Sequence, residues 1–116
     1  MDRRRELLID LIEARRPTFE LRAELSALPW DSPALVELRP EHIAAVLMRF
    51  VRREWSAQDV EAWADAVECR DDVRYADAPG GLVASALHEL SAPEASGGLT
   101  EVSARHWLDR FRSAPT

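Results

Sequence analysis

The chain contains no lysine and no asparagine; all 15 of its basic residues are arginine. That bias is the mark of GC-rich coding and points to a bacterial source. A lone cysteine, Cys69, excludes an internal disulfide and fits a reducing cytoplasm. The four glycines fall in two pairs, Gly80-Gly81 and Gly97-Gly98. Neither pair follows a strand pattern, which excludes a phosphate-cradling loop and leaves them as turn residues. No apolar run approaches the roughly 20 residues needed to span a bilayer. Leu7, Leu8 and Ile9 follow a basic N-terminus, but Asp10 and Glu13 interrupt the run too early for a signal peptide.

Metal and catalytic patterns are also missing. His42, His88 and His106 lie on three different predicted helices, none with a second ligand at zinc or di-iron spacing. No metal and no cofactor is expected. Cys69 is flanked by Glu68, Asp71 and Asp72, which disfavour a thiolate and make it a poor nucleophile. Arg3, Arg4 and Arg5 are offset by Asp2 and Glu6, too little charge for a nucleic-acid arm. An enzyme is not expected, and neither direct nucleic-acid nor membrane binding.

What is present is an ordinary globular composition, 47% hydrophobic and 31% charged over 116 residues, enough for a single domain spanning 1–116. The periodicity is helical almost throughout. Leu7, Leu8, Leu11 and Ile12 form the stripe of a first helix ending near Arg15-Arg16. Thr18 is the predicted cap of a second, carrying Phe19, Leu21, Leu25 and Leu28. Pro29 to Pro33 is a turn, followed by a brief helical stretch to Leu38. A helix from Pro40 presents Ile43, Val46, Leu47, Phe50 and Val51. Ser56-Ala-Gln-Asp59 is a capping box opening a helix to about Arg70. Further helices carry Leu82, Val83, Ala86, Leu87 and Leu90, and, capped by Thr100, Val102, Trp107, Leu108 and Phe111. The loops between them are Pro79-Gly80-Gly81 and Pro93 to Gly98. Val73-Arg74-Tyr75 is the one strand-like segment and has no evident partner. The expectation is an all-α, compact antiparallel bundle of five or six helices with short turns.

The charge is concentrated. Of a formal net charge of -6, the stretch from Ala57 to Asp72 holds six acids (Asp59, Glu61, Asp65, Glu68, Asp71, Asp72) against the single Arg70, leaving -5 there. Val60, Trp63, Ala64 and Val67 make the core face of this helix. Glu61, Asp65, Glu68 and Asp72 form a continuous stripe on the other side. Like charges at these spacings oppose the helix by about 0.2–0.5 kcal/mol per pair, so local stability does not explain them. A basic protein partner would, since charge complementarity sets encounter rate and specificity. The same stripe also reads as a solvated face, partly neutralised by neighbouring arginines. Trp55, between two helices, is a candidate anchor for a partner or a hinge-packing residue.

From His42 to Asp72 the chain carries Val46-Leu47-x-Arg49-Phe50-Val51, Trp55-Ser56-Ala57-x-Asp59-Val60-Glu61-x-Trp63-Ala64 and Glu68-x-Arg70-Asp71-Asp72. This resembles the helix–Ser-Ala-x-Asp/Glu–helix hairpin of small bacterial immunity proteins of the colicin D type, over about a quarter of the chain. The resemblance implies an antiparallel helical bundle whose acidic surface masks the basic active site of a toxin or nuclease. Asp59, Glu61, Asp65, Glu68, Asp71 and Asp72, with Trp55, would then be the partner-binding residues. The alternative is a non-catalytic structural or homodimeric helical module whose acids confer only solubility; monomer and dimer both remain open. A helix-turn-helix regulator is disfavoured, because the acidic helix would have to enter the major groove.

Overall fold

The computed structural model describes residues 3–28, 36–70, 72–76, 81–92 and 98–113. The expected turn from Pro29 to Pro33 with Trp30, the Pro79-Gly80 break, Asp71 and most of the loop from Pro93 lie outside the described residues. Six helices and two short strands are described: α1 (Arg3–Ile12), α2 (Thr18–Ser26), β1 (Val36–Leu38), α3 (Pro40–Val51), α4 (Ala57–Glu68), β2 (Val73–Tyr75), α5 (Leu82–Ser91) and α6 (Glu101–Ser113). The protein is mostly helical, as the periodicity predicts, but not purely so.

The strands add one small parallel pair to an otherwise helical protein and correct the helical reading of the stretch to Leu38. Val36–Leu38, read as a helical continuation, is extended and pairs in parallel with Val73–Tyr75, in the register Val36↔Val73, Glu37↔Arg74, Leu38↔Tyr75. Parallel pairing demands a long crossover, and α3 and α4 supply it. A three-residue strand shows almost no alternation, so its pattern cannot be separated from a helical fragment until the partner is known.

Local chemistry sets most helix starts. Pro40 occupies the first turn of α3, where its missing N–H costs nothing. Ser56 Oγ accepts from the Asp59 N–H at 3.1 Å, and the Asp59 carboxylate accepts from the Ser56 N–H at 2.9 Å, closing the predicted capping box of α4. Ser56→Ala is expected to lower stability by about 1 kcal/mol, measured by urea unfolding. Thr100 and Ser103 cap α6 reciprocally, at 3.1 and 2.9 Å. Thr18, by contrast, is not a cap: Pro17 holds that position.

Two helices stop without glycine, within a few residues of the basic pairs Arg15-Arg16 and Arg52-Arg53. After α1, Ala14 turns left-handed (φ 53°), with Arg15 N–H donating to Asp10 O and Ala14 N–H to Leu11 O. After α3, Arg53 does the same (φ 65°), with Glu54 N–H donating to Arg49 O and Arg53 N–H to Phe50 O. Both are Schellman closures, a motif that usually takes glycine at the left-handed position.

Buried residues from all six helices and both strands form one core cluster. α4 packs most extensively on α5, and α3 on α6. Trp63 is fully buried at the centre, and its indole Nε1–H donates 2.7 Å to Leu11 O, tying α4 to the end of α1. Two residues assigned to apolar faces are instead exposed: Phe19 (74%) and Val102 (80%). Among the described residues no helix is long and apolar enough to cross a membrane.

Candidate functional site

The α4 wheel emerges as predicted on its inner side, with Val60, Trp63, Ala64 and Val67 buried, and Ala66 joins them. The outer side is less uniform than the stripe implied. Asp59 is exposed and engaged in the capping box. Glu61 is half-buried and lines a groove of about 140 Å³ between α4, the end of α5 and the start of α6, with Glu89, Leu90, Leu99 and Ser103. Asp65 lies 3.5 Å from Arg22 of α2, both side chains about half exposed. An ion pair this exposed contributes little stability and leaves the carboxylate reachable.

Glu68 sits at the junction of α4 and α5. His88 Nδ1 lies 3.1 Å from one carboxylate oxygen, and Ser91 Oγ donates to the other at 2.6 Å. Serine, histidine and glutamate thus meet, but both partners address the carboxylate. Nucleophilic catalysis needs the serine on a histidine nitrogen, and Ser91 Oγ instead meets the His88 backbone carbonyl at 3.0 Å. The cluster works as an interhelical clasp. His88 faces Glu68 across 20 residues of chain, a separation at which sequence spacing carries no signal.

Asp72 departs from the stripe altogether. α4 ends at Glu68, not near Arg70, so the four-residue spacing to Asp72 no longer defines a face. Asp72 is buried (3% exposed) and accepts a fork from Arg70, Nε at 2.7 Å and Nη2 at 2.9 Å, with Arg4 Nε 3.3 Å away. Burial alone would raise its pKa, but the hydrogen bonds and charge of Arg70, together with Arg4, outweigh it and hold the carboxyl below its ordinary range. Asp72 is a structural ion-pair residue and is unavailable to a partner. Asp71 lies outside the described residues.

Trp55 is half-buried in the turn between α3 and α4. The Arg49 guanidinium stacks 5.4 Å above its ring and donates to Ala14 O at 2.8 Å. Trp55 also borders a groove of about 390 Å³ with Phe50, Val51, Arg53, Ser56 and Glu101. It packs the hinge on one side and presents an edge on the other.

The residues brought together are therefore Glu61, Asp65 and Glu68 along α4, joined by Glu89, which sequence spacing missed because it comes from α5; Asp59, two residues before Glu61, lies about 200° around the helix and is engaged in the cap. The Trp107 indole N–H donates to the Glu89 carboxylate and fixes it at the groove. Cys69 is exposed beside this face; desolvation and then Asp65, 3.8 Å away, push its thiol pKa up, so it stays protonated. Among the described residues no group of three or more His, Cys, Asp or Glu is placed to hold a metal ion. No family model, curated protein or solved structure matches the chain.

Proposed function

We propose that the protein is an immunity-type inhibitor, a cytoplasmic binding protein that neutralises a basic toxin or nuclease by covering its active site with the α4 face. The observation that carries this reading is the run of carboxylates Glu61, Asp65 and Glu68 along one side of α4, with Glu89 of α5 beside them. Like charges at these spacings work against the helix that bears them. Inhibition would be steric and electrostatic and would require no chemistry from this chain. The reading takes the six helices as one antiparallel bundle, in keeping with the resemblance of residues 42–72 to colicin D-type immunity proteins.

The test is capture at low salt from the source organism's lysate and secretome, followed by a salt step. The expected catch is a basic protein with a toxin or nuclease domain, released as salt rises. Glu61→Ser, Asp65→Ser and Glu68→Gln combined should weaken that binding at least tenfold, mostly through slower association, with stability changed by less than about 1 kcal/mol. Gln at 68 keeps an acceptor for Ser91. Asp72 is left intact because its loss would destabilise the fold rather than test the surface. Equal binding by the folded triple variant would overturn the proposal.

A second reading draws on the pairing of Asp65 with Arg22 and the engagement of Glu68 by Ser91, and on Phe50, Val51 and Trp55, which are only half-buried beside their groove. On this reading the protein is a homodimeric helical module and its acids confer solubility. Concentration-dependent dimerisation indifferent to salt would favour it.

A further inference from the structure

We infer that the protein carries a separate anion-binding pocket, in which Arg39 and Arg74 take the charged head of a small phosphate ester or polycarboxylate with an apolar body. Nothing in it depends on the acidic face of α4. The pocket, about 440 Å³, lies among α1, β1, β2 and the start of α3, and it falls within the roughly 300–1,000 Å³ range of small-molecule sites. Its charged lining is Arg5, Glu13, Glu37, Arg39, His42 and Arg74. The parallel register sets Glu37 opposite Arg74, while Arg39 follows directly on β1, so chain segments remote in sequence bring their arginines to one place.

The two carboxylates leave the pocket open to a further anion. Glu13 holds Arg15 at 2.7 Å. Glu37 alone spans Arg39 at 3.4 Å and Arg74 at 3.2 Å, both long contacts to well-exposed guanidinium groups. One carboxylate engages few of the five donors each guanidinium offers, and the arginine fork is shaped for phosphate or carboxylate. The positive end of the α3 dipole adds to the field there. His42 Nδ1 accepts from the Arg39 N–H at 2.9 Å, so in its neutral form the ring carries its proton on Nε2. Below the charged groups, Ile9, Ile12 and Val36 give an aliphatic floor, which favours an anion bearing an apolar or planar body over a bare ion.

Burial holds the His42 pKa below its ordinary value; Glu13 and Glu41 oppose that shift and Arg39 assists it. A bound anion would raise it, which supplies a local readout. The experiment is an NMR titration of the His42 ring together with calorimetry on the full chain, using inorganic phosphate, phenyl phosphate and citrate. Phenyl phosphate is expected to raise the His42 pKa saturably and to bind about tenfold tighter than inorganic phosphate, the worth of burying about 55 Å² of ring. A tighter response to citrate, which has no apolar body, would overturn the role given to the aliphatic floor. Arg39→Gln with Arg74→Gln should weaken binding at least tenfold. Glu37→Gln, which removes the competing carboxylate, should tighten it. Arg39 and Arg74 are exposed and Glu37 is half-buried, and thermal melts would confirm that the variants are folded. Absence of a saturable shift at millimolar anion would overturn the inference. So would a shift unaffected by the double arginine variant, or an unchanged affinity in Glu37→Gln.

Discussion

Asp72→Ala should destabilise the protein by about 3–5 kcal/mol, a large part of the roughly 5–15 kcal/mol that holds a domain of this size together. Urea unfolding would read it directly, and the melting temperature should fall by about 10–25 °C. The reason is the charge left behind. Asp72 accepts the Arg70 fork and stands against Arg4, with all three side chains under a tenth exposed. Removing the carboxylate deprives two buried guanidinium groups of the acceptor they share across the seam between α1 and the start of β2. The Asp72 backbone carbonyl also accepts from Val36 N–H at 3.4 Å, so loosening this residue disturbs the parallel pair as well.

The same residue sets an acid limit on stability. Its folded pKa lies below the unfolded value, so its contribution is complete above about pH 4 and fades as pH falls through the depressed folded value. Asp72→Asn should therefore differ most from the parent protein near neutrality, and the two stability curves should converge in strong acid. A gap that stays constant down to acid pH would show that the carboxylate charge is not what Asp72 supplies.

Trp63→Ala is the second change expected to leave the protein close to unfolded. Deleting a fully buried indole costs about 3–5 kcal/mol through lost burial and the cavity left between α4 and α1. The hydrogen bond adds less than its burial suggests. Leu11 O still accepts from Ala14 N–H at 3.1 Å, so loss of the indole N–H does not orphan the carbonyl. Trp63→Phe, which keeps most of the apolar volume, should accordingly cost only about 1–2 kcal/mol. Equal losses for the two variants would mean that the hydrogen bond, and not the packing, dominates at this site.

These two residues mark the border of what the sequence could show. Trp63 was legible as core because Val60, Ala64 and Val67 repeat around it at helical spacing. Its bond to Leu11, 52 residues away, was not. Asp72 was misplaced because its spacing from Glu68 continues a helical stripe on paper, whereas α4 stops at Glu68 and the chain turns Asp72 inward. Phe19 fell on a helix too short for its apolar face to be unambiguous, and Val102 sits near the N-terminus of α6, away from the packed Ala104 and Trp107. On the candidate site, Glu61, Asp65 and Glu68 lie along α4 as read, but Glu89, His88 and Arg22, which decide how much of their charge is open, come from other helices.

The sequence by itself determined what depends on neighbours three or four residues apart. That includes the Ser56–Asp59 capping box, proline in the first turn of α3, the Thr100 cap, the buried face of α4 and its acidic outer residues. Each is a short-range bond or a periodicity written in consecutive side chains. Only the tertiary structure decided the parallel pairing of β1 with β2, the burial of Asp72 between Arg70 and Arg4, the Glu68 clasp and the arginine pocket around Glu37. Each of these brings together residues that are far apart in the chain. Their closure cost is met by the core as a whole, and no local pattern records it.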